Sequence, residues 1–567
     1  MKILLTVLLG SILVAAFSST GNAQTYLDTA NFTIAAQIKP SDYAVWNDSV
    51  AAWRVYATYD IDKDGKKEFL VIVDPASTQP ADTTMPSILQ FEASGNNKFD
   101  LVWSVQIPYQ NTSKGSWPCL TVADVDKDGQ QEIIFGLPSE ARLVGDPNPT
   151  RLFIYEYDSV AKKLPNEPTL TSKLSFPDKY YYAITSILAD DVDKDGDVEL
   201  ILSARRAYGG GSGTASTRPL IIYHLNGDIS PGFSDFEREF VDSIGTFNGG
   251  YYFNNDIVDF DGNGKKEIWG YTWDMISYGV YEATAKDTYV LKTDVNQVTP
   301  DIDYGEQNSV GFFDANKDGK LEMFFAGRVD GLSQSIVLYL PNTNDLTSLN
   351  VSSQKTIIPA FTTGDFQGAS IGDIDGNGEV DFAIAARGTS RMAYVVKHIS
   401  GKPFDDSTGY KLDTLYSAPK DSTYDFRNVL ITNDIDNDGK RELFIVNTNT
   451  RNNHPEDVSI IILESKVVVT NVKHISTVTP TEFTLDQNFP NPFNPSSTIR
   501  FALKTEGRIE LFITNALGQR VASLVDGKFA AGKHEVTFNA DGLASGTYFY
   551  TLKSGNMLET KKMTLLK

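Results

Sequence analysis

The sequence predicts an all-β protein. One acidic nine-residue loop recurs seven times, β-branched and aromatic runs flank the copies, and further strand-like runs follow within each repeat. Four strands per repeat and seven repeats predict a seven-bladed β-propeller. A sheet of four short strands buries its faces only by packing on others around an axis. A small Ig-like β-sandwich is expected after the propeller.

Composition sets outer bounds. The chain has 567 residues, 73 Asp+Glu against 50 Lys+Arg, and a net charge of −23. Such a chain lacks the basic face that nucleic-acid binding requires. At 41% hydrophobic and 22% charged residues it is an ordinary globular sequence. The single cysteine, Cys119, cannot form an intrachain disulfide, so no disulfide scaffold is expected.

The first element is a leader. Lys2 precedes an apolar run over 3–17, and Gly21-Asn22-Ala23 places small residues before a cleavage point at Gln24. This pattern predicts a signal peptide over 1–23. No later run is long and apolar enough to predict a transmembrane segment. The mature chain is expected to be exported and monomeric.

The repeated loop reads Asp-x-Asp/Asn-x-Asp/Asn-Gly-x-x-Glu/Asp. It starts at Asp60, Asp124, Asp191, Asp259, Asp314, Asp373 and Asp434, with intervals of 64, 67, 68, 55, 59 and 61 residues. Calcium takes six to eight oxygen ligands, and carboxylates at positions 1, 3 and 5 converge when the chain turns tightly. Glycine at position 6 tolerates the positive φ of such a turn. Loop 1 therefore offers Asp60, Asp62, Asp64, the carbonyl of Lys66, and Glu68. Loop 2 offers Asp124, Asp126, Asp128 and Glu132, and loop 3 offers Asp191, Asp193, Asp195 and Glu199. Loop 4 has Asp259, Asp261, Asn263 and Glu267; loop 5 has Asp314, Asn316, Asp318 and Glu322. Loop 6 has Asp373, Asp375, Asn377 and Asp381; loop 7 has Asp434, Asp436, Asp438 and Glu442. Up to seven structural calcium ions are expected. They would add fourteen positive charges and leave a net charge of −9.

An EF-hand shares the opening of this pattern but needs an acid at position 12 and flanking helices. Position 12 here is Val71, Phe135, Leu202, Gly270, Phe325, Ile384 or Ile445. Runs such as EFLVIV and ELFIVN follow the loops, so each loop is expected to join two antiparallel strands, with position 9 opening the second. Runs at 87–92 and 99–104 supply the third and fourth strands of the first repeat. The propeller is expected over 24–470, with 31–38 as the strand that closes the ring.

These loops resemble the FG-GAP/VCBS repeats of integrin α-subunit propellers and of many secreted bacterial proteins. DFQGASIGDIDGNG at 365–378, with Phe366 and Gly368, comes nearest to that pattern. The resemblance implies a seven-bladed propeller with calcium between the first two strands of a blade.

A linker is expected over 471–486 and a second domain over 487–567. FPNPFNP (489–495), NALGQRV (515–521), GLASGTYFY (542–550) and KKMTLLK (561–567) stand among short strand-like runs and turns. Together they resemble the type A C-terminal sorting domain of the type IX secretion system. That resemblance implies Sec export, outer-membrane passage, contact with the type IX machinery, and release or attachment at the cell surface.

A ligand face is expected opposite the calcium loops. Arg205, Arg328 and Arg387 each lie nine residues after the motif glycine, and Trp273 shares that offset. Tyr181 and Tyr251 approach from the starts of innermost strands. Arg grips carboxylates bidentately, so a surface glycan or an extracellular protein is the expected partner. No HExxH, Gly-x-Ser-x-Gly or phosphate loop occurs, and no catalytic residue is assigned. The sequence reads best as a non-catalytic binding, adhesion or scaffold module at the bacterial cell surface. Loops of this kind also occur in rhamnogalacturonan lyases, which leaves a polysaccharide lyase acting on acidic glycans as the second reading.

Overall fold

The structure of the chain is a computed structural model. It describes residues 26–28, 31–46, 50–75, 86–108, 118–137, 150–174, 182–206, 219–225, 227, 229, 236–242, 252–272, 277–295, 305–329, 334–357, 365–374, 379–387, 391–418, 424–448, 458–468, 472–476, 480, 482–494, 496–505, 507–518, 520–529, 531–540, 543–555 and 557–566. The leader expected over 1–23 lies outside the described residues. Among the described residues the regular structure is strand, with a few single-turn 3-10 segments and no α-helix.

Seven small antiparallel sheets follow one another along the chain, at 50–106, 119–172, 182–242, 252–295, 305–357, 365–417 and 426–468. The first five are four-stranded meanders built from consecutive strands. The sixth gains a fifth strand from Tyr26–Leu27, paired to Tyr410–Ser417. The seventh has three strands of its own and takes its fourth from Phe32–Ile38, which pairs with Ile460–Val468. The expected closing strand is thus present, one residue shorter than read.

Position 9 of the loop opens the second strand in six sheets: Glu68–Pro75, Glu132–Gly136, Glu199–Arg206, Glu267–Thr272, Glu322–Val329 and Asp381–Arg387. In the seventh, the strand Lys440–Asn447 begins two residues earlier. These second strands carry the fully buried runs, Phe69 to Ile72 and Leu443 to Val446 among them. They are covered on both faces, so they read as continuous apolar stretches rather than alternating ones.

The core is divided between neighbours. Each consecutive pair of sheets shares one buried apolar cluster, and the seventh packs on the first through Phe444, Val446, Phe69 and Val71. The arrangement is propeller-like: a ring of small sheets whose faces cover one another. First strands approach closely inside it. A Cβ on Gly311 would stand 2.7 Å from Ile371 Cβ of the next sheet, so only glycine fits there. Cys119 is buried between the second and third sheets, and burial pushes its thiol up to about 12.

The remaining strands form two stacked four-stranded sheets around their own core, with Phe493, Ile499, Leu511 and Tyr550 buried between them. The stretch expected as a linker, 471–486, instead supplies two of these strands, Val472–Ser476 and Thr484–Leu485. Its Thr/Pro content masks a short edge strand, which pairs with Gly532–Asn539.

Phe32 and Ile38 are 1% and 3% exposed, and burying such a side chain contributes roughly 1.5–3 kcal/mol. A chain that starts after Ile38 is expected to unfold several degrees lower in a thermal melt and to aggregate through the bared edge of Ile460–Val468. An unchanged melting temperature would show that the ring holds without its closing strand.

Candidate metal centre

Loops 1, 2, 3, 4, 5 and 7 each turn through two left-handed residues. Position 6 is glycine at φ 91°, 89°, 98°, 85°, 89° and 91° in loops 1, 2, 3, 4, 5 and 7. Position 4 is also left-handed, at φ 58° in Lys63, 63° in Lys127, 60° in Lys194, 72° in Gly262 and 61° in both Lys317 and Asn437. The turn folds acidic side chains back onto backbone donors. Asp62 accepts from the Asp64 amide at 3.1 Å and Asp64 from the Lys66 amide at 2.8 Å. Asp124 accepts from the Gly129 amide at 3.1 Å, and Asp434 from the Gly439 amide at 2.8 Å. Lys66 also brings its ammonium to Asp64 and to Glu92 on the third strand.

One bond recurs in all seven loops. The position 9 carboxylate accepts the backbone N–H of position 2. Glu68 takes it from Ile61, Glu132 from Val125 and Glu199 from Val192, each at 2.7 Å. Glu267 takes it from Phe260 and Glu442 from Ile435 at 2.8 Å, Glu322 from Ala315 at 2.9 Å, and Asp381 from Ile374 at 3.0 Å. These acids are fully buried.

The second oxygen of several of them accepts nothing from the protein. Oε1 of Glu68, Glu132, Glu199, Glu267 and Glu442 is buried without a hydrogen-bond partner, as is Oδ1 of Asp124, Asp191 and Asp259. Burial pushes Glu68, Glu199 and Glu267 up to about 8, and Glu132 and Glu442 up to about 9. The loop's own aspartates push the same way, and the position 2 N–H opposes them. A divalent cation between the carboxylates reverses that balance. In loops 1, 2, 3 and 7, one oxygen from each of four acids lies within 4.8 Å of the others. Orphaned oxygens on converging carboxylates fit a hard divalent cation.

Loop 5 is built differently. Asn316 replaces the acid at position 3, and its amide donates to Glu322 Oε1 at 2.8 Å and to Asp318 at 3.1 Å. Asn342 adds a second amide to Glu322 Oε1 at 2.6 Å. Amide protons here take the acceptor that loops 1, 2, 3, 4 and 7 leave bare. In loop 4, Asn263 donates to Asp261 and Glu282, and the Glu267 oxygen stays bare. In loop 6, Asp375 and Asn377 lie outside the described residues, while Asp373 and Asp381 frame the turn.

The loops also touch their neighbours, which the motif did not announce. Lys63 reaches the Gly129 carbonyl of loop 2, Lys127 pairs with Asp197 of loop 3 at 2.9 Å, and Lys194 reaches the Gly264 carbonyl of loop 4. Position 3 faces the next sheet: Asp126 accepts the Ile229 amide at 2.9 Å, Asp193 the Asp287 amide at 2.6 Å, and Asp436 the Asn97 amide. The recurrence of Lys at position 4 was the available signal.

The expected ligand face is placed in part. Arg205, Arg328 and Arg387 lie near or at the ends of second strands, paired in register with Ala183, Glu306 and Asp365. Six residues separate each from position 9, or roughly 20 Å of strand, so they stand at the end away from the loops. Tyr181, Tyr251 and Trp273 lie outside the described residues.

Similarity to known proteins is strongest at the C-terminal end. Residues 487–565 match the secretion system C-terminal sorting domain. The sorting domain ties its two most distinctive segments together. Phe493 of FPNPFNP donates its N–H to the Thr564 carbonyl at 3.0 Å, and the Leu566 amide returns one to Phe493 at 3.0 Å. Phe493 is buried, whereas Phe489 is 81% exposed. No curated protein matches the chain. Among solved structures, a chain of a humanized mutant of Chaetomium thermophilum Polycomb Repressive Complex 2 is 7% identical, covering 77% of this chain and 98% of that one, with a TM-score of 0.43. Rhamnogalacturonan lyase PL11 of Bacillus licheniformis is 15% identical, covering 73% and 71%, with a TM-score of 0.38. The PilY1 C-terminal domain of Pseudomonas aeruginosa is 11% identical, covering 77% and 93%, with a TM-score of 0.30. Similarity at these levels carries no argument about activity. No helix among the described residues is long and apolar enough to cross a membrane.

The contrast between loops 2 and 5 is testable. Glu132→Gln is expected to shrink the rise in melting temperature that calcium produces, because it removes charge from an orphaned acid. Glu322→Gln is expected to leave that rise intact, whatever it does to stability without calcium. Equal losses in both variants would refute the distinction.

Proposed function

We propose that the chain is a secreted calcium-stabilised scaffold: a seven-bladed FG-GAP/VCBS-type propeller followed by an Ig-like sandwich that serves as its export address. In this reading the module is non-catalytic and acts in binding or adhesion at the bacterial cell surface, reached by the type IX route. The observation that carries it is the set of buried, unpartnered carboxylate oxygens in loops 1, 2, 3, 4 and 7. Isolated buried carboxylates are costly, and paired or metal-bound ones are not. Calcium suits the donor set, which is all oxygen, and suits loops that rest on backbone turns rather than on a rigid octahedron. Magnesium keeps its waters and asks for stricter geometry.

Calcium here takes the part that disulfides play in other exported proteins. At ten times its dissociation constant each site contributes about 1.4 kcal/mol to folding. The sorting domain supports export and contact with the type IX machinery. For the ligand, the arginine-bearing strand ends suit carboxylate groups of an acidic glycan or of a protein surface.

Chelation tests the first part. The full chain in excess EGTA is expected to melt well below its calcium-loaded form, and readdition of calcium is expected to restore it. Equilibrium dialysis is expected to find about five tight ions. Indifference of the melt to chelator would remove the proposal. For the binding face, the triple variant Arg205→Ala, Arg328→Ala, Arg387→Ala is expected to lose at least ten-fold in binding to acidic glycans or proteins recovered with the wild type. Retained binding would move the ligand site elsewhere.

A further inference from the structure

A second kind of metal donor stands beside loop 3. In register opposite the position 9 acid, the third strand carries Glu92, Glu156, Glu282 and Glu464 in the first, second, fourth and seventh sheets. In the third sheet the same place, opposite Glu199, holds His224. A nitrogen donor has replaced an oxygen donor.

Two carboxylates converge on this imidazole in the cluster, and a third, the exposed Glu237, stands 4.0 Å from its Nε2. Glu239 sits in a β-bulge: Ile222 pairs with Phe240 and Tyr223 with Arg238, which leaves Glu239 between them. Bulges re-aim side chains. Glu239 Oε1 lies 2.6 Å from His224 Nδ1, with the two side chains 1% and 14% exposed. Its other oxygen accepts the Tyr289 hydroxyl at 3.0 Å, a second contact of the kind that orients metal ligands. The third group comes from the fourth sheet. Asp287 occupies the turn between Tyr278–Ala285 and Thr288–Val295, left-handed at φ 53°. Its backbone is pinned by Asp193 of loop 3, and its Oδ1 is buried without a hydrogen-bond partner. One ligand atom from each of His224, Glu239 and Asp287 lies within 4.8 Å of the other two.

We propose that His224, Glu239 and Asp287 bind a first-row divalent ion, zinc above all, across the junction of the third and fourth sheets. Imidazole suits zinc and its neighbours, whereas calcium takes oxygen donors. A His with two carboxylates supplies three protein ligands and leaves a fourth position for water, the ligand count of an open zinc site. Tetrahedral zinc places its donors about 3.4 Å apart, so the ion enters with an opening of the His224–Glu239 contact of just under ~1 Å. A simple hydrogen bond between His224 and Glu239 satisfies those two groups and leaves Asp287 unexplained. The site lies beyond the calcium reading, because its ligands belong to none of the seven loops.

The experiment uses the full chain without a histidine tag, in saturating calcium. Zinc is added, and the protein is dialysed and assayed for bound metal; cobalt is added in parallel and its visible absorption recorded. The expected result is one retained zinc and a cobalt spectrum with intensity typical of four-coordination. Asp287→Asn, which keeps the size of the side chain in this turn, is expected to weaken zinc at least ten-fold while keeping the calcium-loaded melting temperature. His224→Gln is expected to abolish the cobalt band. Absence of retained zinc in the wild type overturns the proposal, as does equal retention in both variants. Failure of the calcium reading would show as a melt insensitive to calcium, and it leaves the zinc assay unaffected.

Discussion

A buried carboxylate that accepts one backbone N–H is the interaction on which the other features rest. At position 9 it ends the turn, opens the second strand in six of the seven sheets and faces the core, all in one residue. The bond to position 2 fixes how tightly the turn closes. The same residue carries the cost of burying a charged group in an apolar layer. In loops 1, 2, 3, 4 and 7 its second oxygen accepts no hydrogen bond from the protein, and in the proposed reading a cation completes the loop. Loop 5 shows the other solution, in which amide groups of Asn316 and Asn342 supply the protons.

The loops also belong to the interfaces. The apolar clusters between sheets form the interior of each junction, and the loops add a polar rim. Lysines at position 4 lean onto the next loop, while aspartates at position 3 hold the turn of the next sheet. Any ion held in a loop is therefore felt across a junction, not only within one sheet. Surface ion pairs of this kind contribute little singly. Here they link the turns of neighbouring sheets.

Much of this was legible in the sequence, for definite reasons. The loop motif is local and repeated, so its residues, its turn and the strand that follows could be read directly. The strand at Phe32–Ile38 was legible only as a candidate for closing the ring. Contacts between sheets were not, because nothing local relates Lys127 to Asp197 or Asp287 to Asp193. The bulge at Glu239 was hidden too, since a single extra residue in a strand leaves the hydrophobic pattern intact. The edge strand Val472–Ser476 was missed because a short polar segment at a sheet edge resembles a connector. Of the proposed ligand face, Tyr181, Tyr251 and Trp273 lie outside the described residues, and no local motif ties the three arginines to a ligand.

The pairing of Phe32–Ile38 with Ile460–Val468 sets an order on assembly. Thr33 and Glu464, bonded across that junction at 3.3 Å, are 431 residues apart. Contacts of such span form late, because the loop between them must be closed first. A chain threaded across a membrane from its beginning thus presents a strand without a mate until nearly all of the ring has followed. The sheets before it can fold pairwise as they emerge, but the circle shuts only when its last member arrives, immediately before the segment that carries the address.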